Sequence, residues 1–266
     1  MSKYYLDNGG GIYVVRGTSV VESFPTAYGG GYGEGVLAVS ETIRTRARYT
    51  FSEDLQAGEY TLSGNPTGHS YFTPRIPELF YSIYDGTSDG LNNYFVEHGQ
   101  FFFSGVYRTD YYWQNPELLF TAGPYLTGIA YDPTNNSLWI SSPGPWIQDY
   151  SMDGTLLAEF DSGNPSDFGY YLGKNTGLGL DPADHTLWIT SDLTSVLRQY
   201  SLDGATFGEL LQIGRPDGLP PGAFDSGEFQ EPVPEPATFL LLLAVIAATG
   251  FQIQSSPRRR VQHRKL

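Results

Sequence analysis

Gly128-Ile129-Ala130-Tyr131-Asp132-Pro133-Thr134-Asn135-Asn136-Ser137-Leu138-Trp139-Ile140 returns 49 residues later as Gly177-Leu178-Gly179-Leu180-Asp181-Pro182-Ala183-Asp184-His185-Thr186-Leu187-Trp188-Ile189. Downstream, Asp149-Tyr150-Ser151-Met152-Asp153-Gly154-Thr155 is matched by Gln199-Tyr200-Ser201-Leu202-Asp203-Gly204-Ala205 at an offset of 50, so one inserted residue separates the halves. Each copy reads as an apolar strand, an Asp-Pro turn, a Leu-Trp-Ile strand, a variable loop, an aromatic strand that ends at Asp-Gly, and a last strand such as Leu156-Leu157-Ala158-Glu159-Phe160. Four strands in a repeat of ~40–50 residues is the signature of a propeller blade.

Beyond the repeats near 128–162 and 177–212, weaker copies lie upstream. Tyr84-Asp85-Gly86, Tyr94-Phe95-Val96, Val106-Tyr107-Arg108 and Leu118-Leu119-Phe120 keep the same order. Val36 to Val39, Ile43 to Tyr49 and Glu59 to Leu62 suggest another blade, and the hairpin Ile12 to Val15 with Ser19 to Phe24 is a candidate to close the ring. The expectation is an all-β fold: a small β-propeller of four or five blades over residues 1–214, a Pro/Gly-rich linker over 215–232, and a single C-terminal transmembrane helix. A β-sandwich ahead of a partial propeller is the alternative, because the Gly-rich stretch 29–35 interrupts the spacing.

Composition agrees. The 266 residues include 32 Gly, 18 Pro, 20 Tyr and 16 Phe, a bias toward turns and aromatic strands. No cysteine is present, which excludes disulfides, thiolate catalysis and cysteine-ligated metals. All 29 acidic residues fall within residues 1–236 against ten Lys or Arg, a formal charge of −19, while the last thirty residues carry +5. Such an acidic body repels nucleic acid and anionic lipid.

The C-terminal end has its own grammar. Val233-Pro234-Glu235-Pro236 precedes an apolar run, 237–251, and a basic end, 252–266, with Arg258, Arg259, Arg260, Arg264 and Lys265. The prolines hold an extended segment, the apolar run partitions into lipid, and the cations resist crossing the bilayer. In order and spacing this tail resembles the sorting signal of the PEP-CTERM proteins of Gram-negative bacteria, and the repeats resemble, in pattern, degenerate blades found in some of them. The resemblance implies an exosortase-type membrane enzyme as partner, processing near 233–236, a single-pass inner-membrane precursor with an exported ectodomain, and a mature form at the cell surface or outside the cell. It also implies a secretory leader; the start, Met1 to Gly11, has no apolar core of that kind, so a leader is expected upstream.

Candidate chemistry is sparse. Gly86-Thr87-Ser88-Asp89-Gly90 matches a nucleophile pattern that requires a strand before and a helix after the serine; a strand follows here, so a hairpin turn is the expectation. Asp85, Thr87, Asp89 and Gly90 begin like a calcium loop, but Val96 stands where a bidentate Glu is required. No cofactor is expected beyond weak calcium binding. His69, His98, His185 and His263 form no zinc pattern, and His185 reads as a turn residue. Trp139 and Trp188, at equivalent positions, read as blade core. Trp146, outside the repeat, and the crowded Tyr107, Tyr111, Tyr112 and Trp113 are candidates for a sugar-stacking surface, with strand packing as the alternative for the crowded stretch. The sequence therefore points to an exported, non-catalytic binding or structural propeller, with extracellular polysaccharide as a partner class. An exported lyase or lactone hydrolase with a turn-bound calcium is the alternative, and it would need Asp, Asn and His side chains converging on the ring's channel.

Overall fold

The computed structural model describes residues 3–7, 10–17, 19–28, 34–48, 55–74, 82–97, 104–142, 144–163, 175–191, 196–212 and 226–230. These form five four-stranded antiparallel sheets, the blades of a β-propeller. Blade 2 contains β4 (Val36–Val39), β5 (Ile43–Arg46), β6 (Leu55–Tyr60) and β7 (Pro66–Thr73). Blade 3 contains β8 (Ile83–Ser88), β9 (Asn92–Glu97), β10 (Ser104–Asp110) and β11 (Glu117–Ala122). The two clear repeats are blade 4, with β12 (Gly128–Asp132), β13 (Ser137–Ser141), β14 (Trp146–Ser151) and β15 (Leu156–Asp161), and blade 5, with β16 (Asn175–Asp181), β17 (Thr186–Ser191), β18 (Val196–Tyr200) and β19 (Thr206–Gln212).

Blade 1 is assembled from both ends of this body. β1 (Tyr4–Asp7), β2 (Gly11–Arg16) and β3 (Ser19–Pro25) supply three strands, and β20 (Ser226–Phe229) supplies the fourth, paired antiparallel to β1 with Tyr4 opposite Phe229 and Asp7 opposite Ser226. The sequence boundary at 214 is therefore corrected: residues 226–229 belong to the ring, as its innermost strand, and not to a linker. The sandwich alternative is also overturned, because β4 to β7 pair as a four-stranded blade like the others. Residues 233–266 lie outside the described residues, and the transmembrane helix expected over 237–251 with them; no helix among the described residues is long and apolar enough to cross a membrane.

A blade is stable only against its neighbours, since each sheet buries both faces. Each of the five junctions holds its own apolar cluster. Ile129, Leu138 and Ile140 pack on Tyr94, Val96 and Phe120 between blades 3 and 4. Trp139 and Phe160 pack on Leu178, Leu187 and Tyr200 between blades 4 and 5. The buried Trp139 and the partly buried Trp188 are blade packing, as their repeated position suggested.

The five inner strands, β20, β4, β8, β12 and β16 in ring order, are tied together by one carboxylate. Asp85 on β8 is fully buried. Its Oδ2 accepts the amides of Ile129 at 3.0 Å and Leu178 at 2.8 Å, and its Oδ1 accepts the Ser226 hydroxyl at 2.6 Å and the Gly227 amide at 3.1 Å. The Leu37 amide completes the set by donating to Ser226 Oγ at 3.0 Å. One side chain thus reaches β12, β16 and β20 directly and β4 through Ser226.

Candidate functional site

Four blades close their third and fourth strands with the same five-residue turn. In each, the fourth amide donates to the first carbonyl and the first amide to the fifth carbonyl: Thr61 to Asn65, Asp110 to Gln114, Ser151 to Thr155 and Ser201 to Ala205. The fourth position needs a left-handed backbone. Gly64, Gly154 and Gly204 occupy it at φ 81, 83 and 88°, and in blade 3 the residue is Trp113, at φ 61°. A bulky residue there costs about 1–2 kcal/mol, and such strain persists only where the surroundings over-determine it.

Blade 3 supplies that support. The Asp110 carboxylate accepts the amides of Tyr112 at 3.0 Å and Gln114 at 2.8 Å and the Asn115 side chain at 3.0 Å. Asn93 Nδ2 donates to the Tyr111 carbonyl at 2.7 Å, Arg46 to the Trp113 carbonyl at 3.4 Å, and Gln114 Nε2 to the Phe72 carbonyl on blade 2 at 2.8 Å. The Trp113 indole fills the crevice between blades 2 and 3 with Val36, Ala38, Ile83, Phe95 and Tyr107.

Blade 2 meets this turn with a register irregularity of the kind that each blade has between its third and fourth strands. β7 carries extra residues between Pro66, opposite Tyr60, and Ser70, opposite Gly58. That irregularity carries His69 and Tyr71 to the blade 3 turn. His69 packs edge-on against Tyr112 at 4.5 Å between ring centroids, Tyr71 lies 5.6 Å from Tyr112, and Tyr111 meets Tyr112 edge-on at 5.1 Å. Tyr112 keeps 36% of its surface exposed. The result is an aromatic ridge across two blades, mounted on a rigid turn.

Beneath it lies an unusual cation. Arg44 is fully buried. Its guanidinium stacks on Tyr111 at 3.7 Å and donates to Ser40 Oγ at 2.8 Å, Ser88 Oγ at 3.2 Å and Asn93 Oδ1 at 3.1 Å. Burial pulls it below the usual guanidinium range, partly opposed by Tyr111, Tyr71 and Glu59. Arg46, on the same strand face, stacks on Phe95 at 4.6 Å, and burial lowers it to about 9. At the edge of the ridge the half-buried Glu59 accepts the Thr42 hydroxyl at 2.8 Å and the Thr67 hydroxyl at 3.1 Å.

Of the residues singled out in the sequence, Tyr111 and Tyr112 are brought together here. Trp113 and Tyr107 are corrections: both are buried in the blade 2–blade 3 core, because the turn directs the indole inward and Tyr107 stacks on Phe95 at 5.0 Å. Trp146 is exposed, but on blade 4. Tyr71, Glu59 and Arg44 were not marked by sequence and His69 read only as an isolated histidine; the legible signal was Trp113 itself, standing where Gly154 and Gly204 stand in the clear repeats.

The other candidates resolve into structure. Asp89 caps the β8–β9 hairpin, accepting the amides of Leu91 and Asn92 and the Tyr94 hydroxyl at 2.6 Å. Burial pushes its carboxyl up, but these bonds outweigh it and hold it below the ordinary range. Ser88 donates to the Asn92 carbonyl in the same hairpin. His185 is an exposed turn residue at φ 56°, matching Asn136 in blade 4. Among the described residues no three His, Asp or Glu side chains gather as a metal-binding group. Val233, Pro234, Glu235, Pro236, Arg258, Arg259, Arg260, Arg264, Lys265, His98 and His263 lie outside the described residues.

No family model matches the chain, and no curated protein does. Among solved structures, a chain of the crystal structure of a nidogen/laminin complex superposes with a TM-score of 0.56 at 12% identity, covering 87% of this chain and 99% of that one. A protein of unknown function from Bacteroides caccae aligns at a TM-score of 0.43 and 11% identity, covering 78% of this chain and 72% of that one. At such identities the likeness is one of architecture alone: the body of this chain is a five-bladed β-propeller.

Proposed function

We propose that the chain is an exported binding protein, a non-catalytic propeller that holds extracellular polysaccharide or another matrix component at the blade 2–blade 3 junction. In this reading residues 233–266 act as a sorting tail: 237–251 anchors a precursor in the inner membrane, and an exosortase-type enzyme processes the chain near Val233-Pro234-Glu235-Pro236. The observation that carries the binding role is the break in blade symmetry. At one junction a strained tryptophan replaces the turn glycine, and His69 and Tyr71 of the neighbouring blade gather with Tyr112 on that clamped turn, with rings turned toward solvent. Rigid, exposed aromatic rings lose little entropy on binding.

Support for a non-catalytic role comes from Asp85, whose two oxygens are taken up by four structural donors from the inner strands. Support for export comes from the order of motif, apolar run and arginine cluster in the tail. Glu235, between two φ-restricted prolines, is the recognition element.

Intact-mass analysis of membrane and extracellular fractions from the host tests this reading. The expected result is an extracellular species lacking about the last thirty residues, and its loss with membrane retention of the full-length chain in Glu235→Ala, as an intact sorting motif predicts. Normal maturation of Glu235→Ala, or a full-length wild-type chain confined to the cytoplasm, would overturn it.

A further inference from the structure

The ridge has a chemical character that narrows its ligand. Tyr112 offers an exposed ring on a backbone fixed by Asp110, Asn93 and Gln114, and His69 braces its edge. Aromatic faces of this kind take the C–H face of a pyranose. Glu59 is joined to the ridge through Thr42, whose hydroxyl lies 2.8 Å from Glu59 Oε1 and 3.4 Å from the hydroxyl of Tyr111, the edge-on neighbour of Tyr112. The two Glu59 oxygens each accept one hydroxyl, from Thr42 and Thr67. A carboxylate accepts about four hydrogen bonds, so lone pairs remain for ligand hydroxyls.

Charge decides between ligand classes. A polyanion meets the −19 of residues 1–236 and the Glu59 carboxylate, and it cannot reach the Arg44 guanidinium, which is fully buried. A polycation is drawn by the body as a whole but meets the buried Arg44 cation under Tyr111 at 3.7 Å. The buried Arg44 and Arg46 cations offset Glu59 and the Asp110 carboxylate that holds the Tyr112 amide, which leaves the ridge itself electrically balanced.

We infer that the ligand of this junction is a neutral hexose polysaccharide, one sugar face stacked on Tyr112 and its hydroxyls donating to Glu59. The inference rests on the binding reading above and names the ligand of that same site.

Affinity electrophoresis of the full-length protein tests it, with a soluble neutral β-glucan, a polyuronate and chitosan as separate probes. The neutral glucan is expected to retard the protein. Tyr112→Ala should weaken that retardation about tenfold, as loss of a central aromatic contact does. Glu59→Gln should weaken it less, and Tyr112→Phe should restore it, because stacking needs the ring and not the hydroxyl. Tyr112→Ala removes an exposed side chain, and an unchanged thermal midpoint would confirm that the fold survives. Retardation by polyuronate or chitosan but not by neutral glucan, abolished in Tyr112→Ala, would overturn the neutral assignment and leave the junction as the binding surface. Retardation indifferent to Tyr112→Ala would overturn the site itself, and no retardation by the neutral glucan would overturn the inference whatever the sorting experiment shows.

Discussion

Trp113 sits where this fold asks for glycine, and the substitution order at that position reports the strain. Trp113→Gly empties part of the crevice but relaxes the backbone; Trp113→Ala empties nearly as much and keeps a side chain at φ 61°. The glycine variant should therefore be the more stable of the two by about 1 kcal/mol, the reverse of the order found at right-handed positions. Urea denaturation of both variants would show it. Asp85 gives a second reading at this scale. Burial pushes its carboxyl from the ordinary 3.8 up to about 8, against the pull of the hydrogen bonds from Ser226, Ile129, Leu178 and Gly227. The folded value lies above the unfolded one, so between them the unfolded chain binds fewer protons and stability falls as pH rises. Tyr4, held well above its ordinary range by burial and by Asp85 and Glu228, stays neutral throughout that window. Asp85→Asn should remove this part of the slope between roughly pH 5 and 8, and it should lower stability by about 2–4 kcal/mol above that window, where the ionised carboxylate accepts all four donors and an amide N–H would face them. A variant with the wild-type slope would contradict the assignment.

At the scale of elements, the turn glycines are positions of close approach between blades. A Cβ at Gly154 would lie 2.7 Å from Phe120 Cβ, and one at Gly204 2.8 Å from Phe160 Cβ. Gly68, at φ +87°, has nothing within 4 Å. Gly154→Ala should then cost more than Gly68→Ala, which bears the backbone term alone of about 1 kcal/mol; thermal unfolding separates them. The same comparison explains what was legible in the sequence. Blades 4 and 5 could be read strand by strand because Asp-Pro, Leu-Trp-Ile and Asp-Gly recur at fixed offsets. Blade 3 kept its strands but replaced Asp-Gly by Tyr112-Trp113, so its turn read as a crowd of aromatics open to either stacking or packing, and Tyr107 and Trp113 proved to be core. His69 read only as an isolated histidine, because a β-bulge, invisible to periodicity, is what carries it to the ridge.

For the whole molecule, the ring depends on a strand that sequence did not reveal. Ser226-Gly227-Glu228-Phe229 has one apolar residue in four and no alternation. It was assigned to a linker, yet it pairs with β1 and brings Ser226 to Asp85. A chain ending at residue 214 should lose cooperative unfolding, whereas one ending at residue 231 should keep it; calorimetry of the two distinguishes them. Closure from both ends completes the four strands of blade 1, while the ring's distinctive surface lies away from its centre, where blade 3 breaks the repeat at Trp113. Hydrogen exchange of the full-length protein with and without the neutral glucan tests that location most directly. Slowed exchange confined to residues 66–73 and 110–116 is the predicted result; slowed exchange in the inner strands around Asp85, or none anywhere, would contradict it.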